Sequence, residues 1–316
     1  MRKNINSEHI EGRIYQHDLS IRTVNNPSSQ NNGKSYIAGT LEVAVDDAGL
    51  NVIPVHFTFV TEVNNSGNKN RTYEVLSKII NEERTWVKVG PEDAFKVKVD
   101  TALALNDFYT QNNELVSVKT NEGGFVTIVN ELAPENERNT FNTDMVITNV
   151  RRIEKDEEKD IKEDYGIVKG AVFNFRNDIL PVEFMIKNPE GLAYFEDLEV
   201  SNSNPVYTRV WGKIECLTKN VEIKEESAFG EPSIRTYKRS SKEWIISGTS
   251  KVPYDFGEEG ILTADELTKA VQDREVMLAE VKKRTEDYRA SKNAAVSSMA
   301  TTPKPSATIK TGDFNF

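Results

Sequence analysis

The 316 residues are enough for two domains and a tail, and 37 % hydrophobic with 28 % charged residues suits a water-soluble chain with packed cores. One cysteine and three histidines without metal-ligand spacing exclude an internal disulfide and a cysteine-based zinc site, and no run approaches the roughly 18–20 apolar residues of a membrane span. A formal net charge of −10 argues against a surface coated with phosphate-binding groups, yet it leaves room for a basic groove on an acidic body.

In chain order, residues 1–11 are polar and read as a flexible N-terminus without an apolar signal region, so a cytoplasmic location is expected. Residues 12–23 alternate as a strand, and 36–60 read as a strand pair around Asp46-Asp47-Ala48-Gly49, with Phe57 and Phe59 assigned to the core. Val75, Leu76, Ile79 and Ile80 recur at helical spacing over 73–81, and strand-like runs follow at 95–105, 115–119 and 124–130. Residues 131–142 (ELAPENERNTFN) form a linker.

A second set of the same elements follows. Residues 144–153 open it, a charged loop covers 154–164, and 165–187 make a hairpin whose Asn177-Asp178 tolerates the positive φ of a short turn. Residues 189–198 form a short helix with Pro189 near its start, 206–217 a strong strand, 219–242 a long excursion and 244–252 a closing strand. Ile53-Pro54-Val55-His56-Phe57 matches Leu180-Pro181-Val182-Glu183-Phe184, so one unit is present twice. Thr263-Ala264-Asp265-Glu266 has the form of a capping box, opening a helix over 263–290. Residues 291–316 are too poor in large apolar residues to fold and end Asp313-Phe314-Asn315-Phe316.

Three strands, a short helix and further strands is the order expected of an OB-fold. The expected class is therefore mainly β: two OB-fold-like barrels in tandem (12–130 and 143–256), then a C-terminal helix and a disordered tail.

Catalytic signatures are missing: there is no GxSxG, Walker A loop, HExxH or GxGxxG, so no enzyme, no metal and no cofactor is expected. The positive signal is cations interleaved with aromatics, the combination that neutralises phosphates and stacks bases. On the return arm of the long excursion, Arg235, Tyr237, Lys238, Arg239 and Lys242 cluster; the plainer reading pairs these cations with Glu222, Glu225, Glu226 and Glu231. Tyr207, Arg209, Trp211 and Lys213 share one face of their strand by the two-residue period, unless Trp211 packs on the C-terminal helix. Phe173, Phe175 and Arg176 precede the hairpin turn, and Trp86, Lys96 and Lys98 extend the candidate groove into the first unit.

The doubled strand order, the basic aromatic loop after the fourth strand and the aromatic tip together resemble phage and bacterial single-stranded DNA-binding proteins. The resemblance implies sequence-tolerant binding and protection of single-stranded DNA in phage replication or recombination, in the host cytoplasm, with RNA as the alternative ligand. It also implies that Asp313, Phe314 and Phe316 dock on replication or recombination proteins. The tip departs from the family pattern, since one aspartate and an asparagine replace an acidic run and no proline precedes the last phenylalanine. The competing expectation is a phage structural or assembly protein that uses its barrels and C-terminal helix for protein contacts.

Overall fold

The computed structural model describes residues 4–64, 66–159, 161–225, 233–257 and 262–299, and for 159, 218–225, 233–240 and 293–299 the course of the backbone alone. Its elements are β1 (Asn6–His17), β2 (Ser20–Thr23), β3 (Ser35–Ala44), β4 (Val52–Thr61), α1 (Arg71–Glu82), α2 (Trp86–Val89), β5 (Lys96–Tyr109) and β6 (Leu115–Ile128). There follow β7 (Asn139–Ile153), β8 (Tyr165–Phe173), β9 (Ile179–Ile186), α3 (Pro189–Asp197), β10 (Val206–Glu225), β11 (Ser233–Thr249) and α4 (Ala264–Met299).

The chain is mainly β, in one eleven-stranded sheet ordered β10-β11-β9-β8-β7-β1-β5-β6-β4-β3-β2. Two extra pairings, β1–β3 and β10–β7, turn this order into two closed circuits of five strands. The first runs β1-β3-β4-β6-β5 and back to β1; the second runs β7-β8-β9-β11-β10 and back to β7. In each circuit the third strand pairs parallel with the fifth, at Val55↔Asn121 and at Met185↔Ile245, while the other pairs are antiparallel. A helix, α1 or α3, lies between third and fourth strands in both. The circuits are joined where β1 also pairs with β7, from Asn6↔Thr143 to Ile10↔Asn139.

The duplicated third-strand motif has one structural meaning. Val55 and Phe57 on β4, and Val182 and Phe184 on β9, point inward and are buried. Pro54 and Pro181 face the other way, on strands whose parallel partner meets them for only two residue pairs, so the missing N–H costs little. The Asn121 side chain donates to the Pro54 carbonyl at 2.8 Å where the ladder does not.

Four sequence expectations change. The N-terminus is not loose from Asn6 onward: Glu8 and Ile10 are buried where β1 pairs with both β5 and β7, contacts about a hundred residues away. The 131–142 linker is shorter, because β7 starts at Asn139 and the buried Arg138 is held by Asp47 at 2.9 Å. The 219–242 excursion continues β10 and β11 as a paired ribbon out to Glu225↔Ser233. Finally, α4 runs nine residues beyond 290, to Met299.

Phe59 is the fifth departure, and it concerns a single side chain. A register shift between Ile37 and Gly39 puts three steps of β4, from Phe57 to Val60, opposite two steps of β3. Phe57 stays inward, alternation reverses beyond it, and Phe59 emerges 44 % exposed.

One apolar cluster runs through both circuits, from Ile10 and Leu41 to Phe184 and Trp244. A second, smaller cluster lies on the outside of the second circuit, where Leu262 and Ala270 at the start of α4 cover Phe173, Ile179 and Tyr207. The capping box forms as expected: Thr263 Oγ1 accepts from Glu266 N, and the Glu266 carboxylate accepts from Thr263 N.

Candidate functional site

A concavity of about 510 Å³ opens between the two circuits. One wall is the outward face of β8 and β9, where Lys169 stands opposite Glu183 and Ile167 opposite Met185, with Tyr165 at the end of the row. The other wall is the β5–β6 hairpin, which contributes Leu105, Ser117 and Lys119; β11 adds Lys242 and Glu243.

Two long-range struts fix the gap. The hairpin at 165–187 turns through Asn177 at φ 66°, and the Asn174 side-chain Oδ1 accepts from the backbone N–H of Arg176 and Asp178. Helix α4 ties that end of the sheet to the other circuit: Arg274 pairs with Asp107 on β5 at 2.9 Å and donates to the Ile179 carbonyl. Farther along, Arg289 donates to the carbonyls of Tyr109 and Thr110 at the hairpin tip. The β5–β6 hairpin is thus tied to α4 at two points, and through Arg274 to β9.

The floor carries the unusual electrostatics. Lys119 Nζ lies 4.9 Å and Lys242 Nζ 5.1 Å from the centre of the Trp244 ring. Lys119 donates to the Glu183 carbonyl at 2.7 Å. Burial holds both ammonium groups below the usual lysine range, Lys242 down to about 8. Among the described residues neither lysine forms an ion pair within 4 Å. Beneath the ring, Trp244 Nε1 donates to Glu8 and so does the Thr101 hydroxyl, yet burial still pushes the Glu8 carboxyl up to about 7.

Of the binding positions singled out from sequence, Lys242 is the one among the described side chains that lines this cleft. Tyr207 faces outward as the alternation required but is fully covered: its hydroxyl donates to Asn4 and its ring packs on Tyr254 and Phe256. Phe173 is likewise sealed beneath the start of α4. Neither can stack a base, because the C-terminal segment, which no strand pattern reports, takes up that face. Arg209 spends its charge on Asp144, which is fully buried and also accepts from Ile5 N and Tyr254. Lys213 donates to the Asn136 carbonyl.

The remaining positions are scattered. Trp211 stays 41 % exposed and lies over Gly248 of β11, not on α4. Trp86 sits 6.1 Å from Tyr15 and against Gly49, closing one end of the first circuit. Lys96 donates to the Asn130 carbonyl, and Lys98 is exposed about 23 Å along β5 from Leu105 at the cleft. Phe175 and Arg176 stack on each other at 5.1 Å in the β8–β9 turn, the end of that hairpin away from Tyr165. Arg235, Tyr237, Lys238 and Arg239 lie on β11 opposite Ile223, Val221, Asn220 and Lys219; their side chains fall outside the described set. Asp313, Phe314 and Phe316 lie outside the described residues altogether.

Lys119, Lys169 and Tyr165 went unremarked in the sequence. Lys119 follows Val118 and Lys169 follows Val168 on strands where they look like ordinary solvated positions, and only the packing of one circuit on the other brings them together. Among the described residues no group of three or more His, Cys, Asp or Glu side chains could hold a metal ion, and no helix is long and apolar enough to cross a membrane.

Comparison with known proteins gives a family and a set of similar solved structures. The family model YorF matches residues 5–284. A crystal structure of a deletion mutant of the single-stranded DNA binding protein from Thermus aquaticus superposes with a TM-score of 0.44 and 13 % identity, covering 82 % of this chain and all of that one. That likeness is too slight to carry an argument about this chain. No curated protein matches.

Proposed function

The chain belongs to the YorF family, and we propose that it binds single-stranded DNA without strong sequence preference, as a protective coat in replication or recombination. The two closed circuits, each with a helix between third and fourth strands and a parallel third–fifth pairing, are read as tandem OB-like barrels. In such barrels the second and third strands carry the binding face, and here β8 and β9 form one wall of the cleft.

The observation that carries the reading is the Lys119–Lys242 pair. Two desolvated ammonium groups from different circuits flank one indole with no carboxylate in contact. Burial outweighs the Glu183, Glu243 and Glu8 carboxylates that act on these lysines, so their charged forms are disfavoured until a further anion joins them. A phosphodiester supplies that charge, and Tyr165 on the wall offers a ring for the neighbouring base. The ligand must be flexible, because a cleft between two circuits admits one strand more readily than a duplex.

The test is a gel-shift and fluorescence series with oligo-dT, duplex DNA and RNA at two salt concentrations. Oligo-dT should bind more tightly at low salt through counterion release, and Lys119→Ala/Lys242→Ala should weaken it at least tenfold. Absence of binding at low salt, or equal binding by the double variant, overturns the reading. Stable oligomers indifferent to DNA would favour the assembly role, for which α4 offers the exposed apolar side chains Val276 and Tyr288.

A further inference from the structure

The outward face of β2, β3 and β4 carries a second aromatic feature, apart from the cleft floor. Phe59 and Tyr36 pack ring on ring, with centroids 4.6 Å apart at 39°. Phe59 reaches this place because the register shift at Gly39 turns it out of the core. Burying a phenylalanine would stabilise the fold; a bulge that does the opposite re-aims the side chain toward solvent. Gly39 makes the irregularity possible, at φ +138° with Asp18 and Leu19 under 3 Å from where a Cβ would stand.

The surroundings have the right charge for a phosphate backbone. Arg22 on β2 stands directly opposite Tyr36 and is exposed. Its Nε donates to Ser20, which leaves the outer guanidinium nitrogens for another acceptor. Lys34 enters β3 two residues before Tyr36. The nearby Asp18 carboxylate is engaged by the Thr40 backbone N–H; Glu62, just past the end of β4, is the opposing charge.

Strand β4 lies beside the cleft strand β6, which it meets at Val55↔Asn121, two residues from Lys119. On β4, burial and after it the Lys242 charge hold the His56 imidazole below the usual histidine value. Phe59 is three residues farther along the strand, about 10 Å. The two stations therefore fit within the roughly 4–16 nucleotides that one OB-type unit engages.

We infer that Tyr36 and Phe59 form a base-stacking station on the first circuit, engaged by the same single strand whose phosphate lies between Lys119 and Lys242, so that one track crosses both circuits. This rests on the proposed function and specifies the path of the ligand. Stacking is indifferent to base identity, which suits a sequence-tolerant binder.

The experiment compares a short and a long oligo-dT, 3 nucleotides (short of the roughly 4 that span a site) and 20 nucleotides, on wild-type protein and on Tyr36→Ala/Phe59→Ala. The double variant should bind the long oligonucleotide about tenfold more weakly and the short one unchanged, and Phe59→Trp should retain wild-type affinity. Should the alanine variant fail to fold, Tyr36→Leu/Phe59→Leu keeps the apolar bulk, removes the rings and should show the same selective loss. If wild type binds both oligonucleotides and a folded double variant binds the long one equally well, the station is refuted and the pair is left to a protein partner. If wild type binds neither, the functional reading itself fails and the inference falls with it.

Discussion

Trp244 donates its indole N–H to the Glu8 carboxylate at 2.7 Å, joining residues 236 positions apart. The bond places the last strand of the second circuit on the first strand of the first, and it sets the ring that Lys119 and Lys242 flank. It also buries an acid, and that has a measurable consequence.

Glu8 has a folded-state value raised to about 7, mainly by desolvation. For an acid raised on folding, the folded state binds more protons than the unfolded one between about 4.5 and 7, so stability falls as pH rises through that window and stays low above it. Glu8→Gln preserves both hydrogen bonds, accepting from Trp244 and donating to Thr101. The variant should match wild type near pH 4.5 and exceed it by about 3 kcal/mol at pH 8, read by denaturant unfolding at the two pH values.

Lys242 sits at about 8, lowered first by burial and further by Lys119, while Glu8 and Cys216 act in the opposite direction. An anion needs its charged form, whose fraction falls as pH rises through that value. Oligo-dT affinity should drop roughly tenfold between pH 7 and 9. Lys242→Arg, charged throughout, should flatten the profile, and an equally steep profile in that variant would place the titrating group elsewhere.

Asp144 is a structural anchor: fully buried, it holds Arg209, Tyr254 and the Ile5 backbone N–H. Asp144→Ala should cost about 3–5 kcal/mol, the usual penalty for breaking a buried pair. Arg209→Ala should lower the melting temperature yet leave oligo-dT affinity within twofold of wild type, in contrast to Lys242→Ala.

Gly39 permits the register shift that exposes Phe59. Gly39→Ala forces a Cβ onto Asp18 and Leu19 at positive φ and should destabilise by about 1–3 kcal/mol. Amide exchange should quicken along β3 and β4, where the strain falls.

Much of the scaffold was legible because it is locally encoded. The paired Pro-Val-x-Phe strands, the positive-φ turn at Asn177, the helix after each third strand and the capping box at Thr263 all depend on neighbours a few residues away. The binding surface was far less so. Two-residue alternation correctly put Tyr207 and Phe173 on the outward face, but outward is not exposed once α4 and its preceding segment lie across it. Phe59 was misassigned for the complementary reason: one extra residue in β4, invisible without its partner strand, reverses the alternation.

By itself the sequence determined two copies of one β-rich unit, a terminal helix, and the absence of familiar catalytic motifs, since propensity, turn chemistry and hydrophobic period act over a few residues. Tertiary structure decided which cations meet. Lys119 and Lys242 lie on strands of different circuits, 123 residues apart, and share one indole only because β1 pairs with β7 and α4 braces the β5–β6 hairpin. Their convergence is a property of packing between units, and no periodicity along one strand can report it.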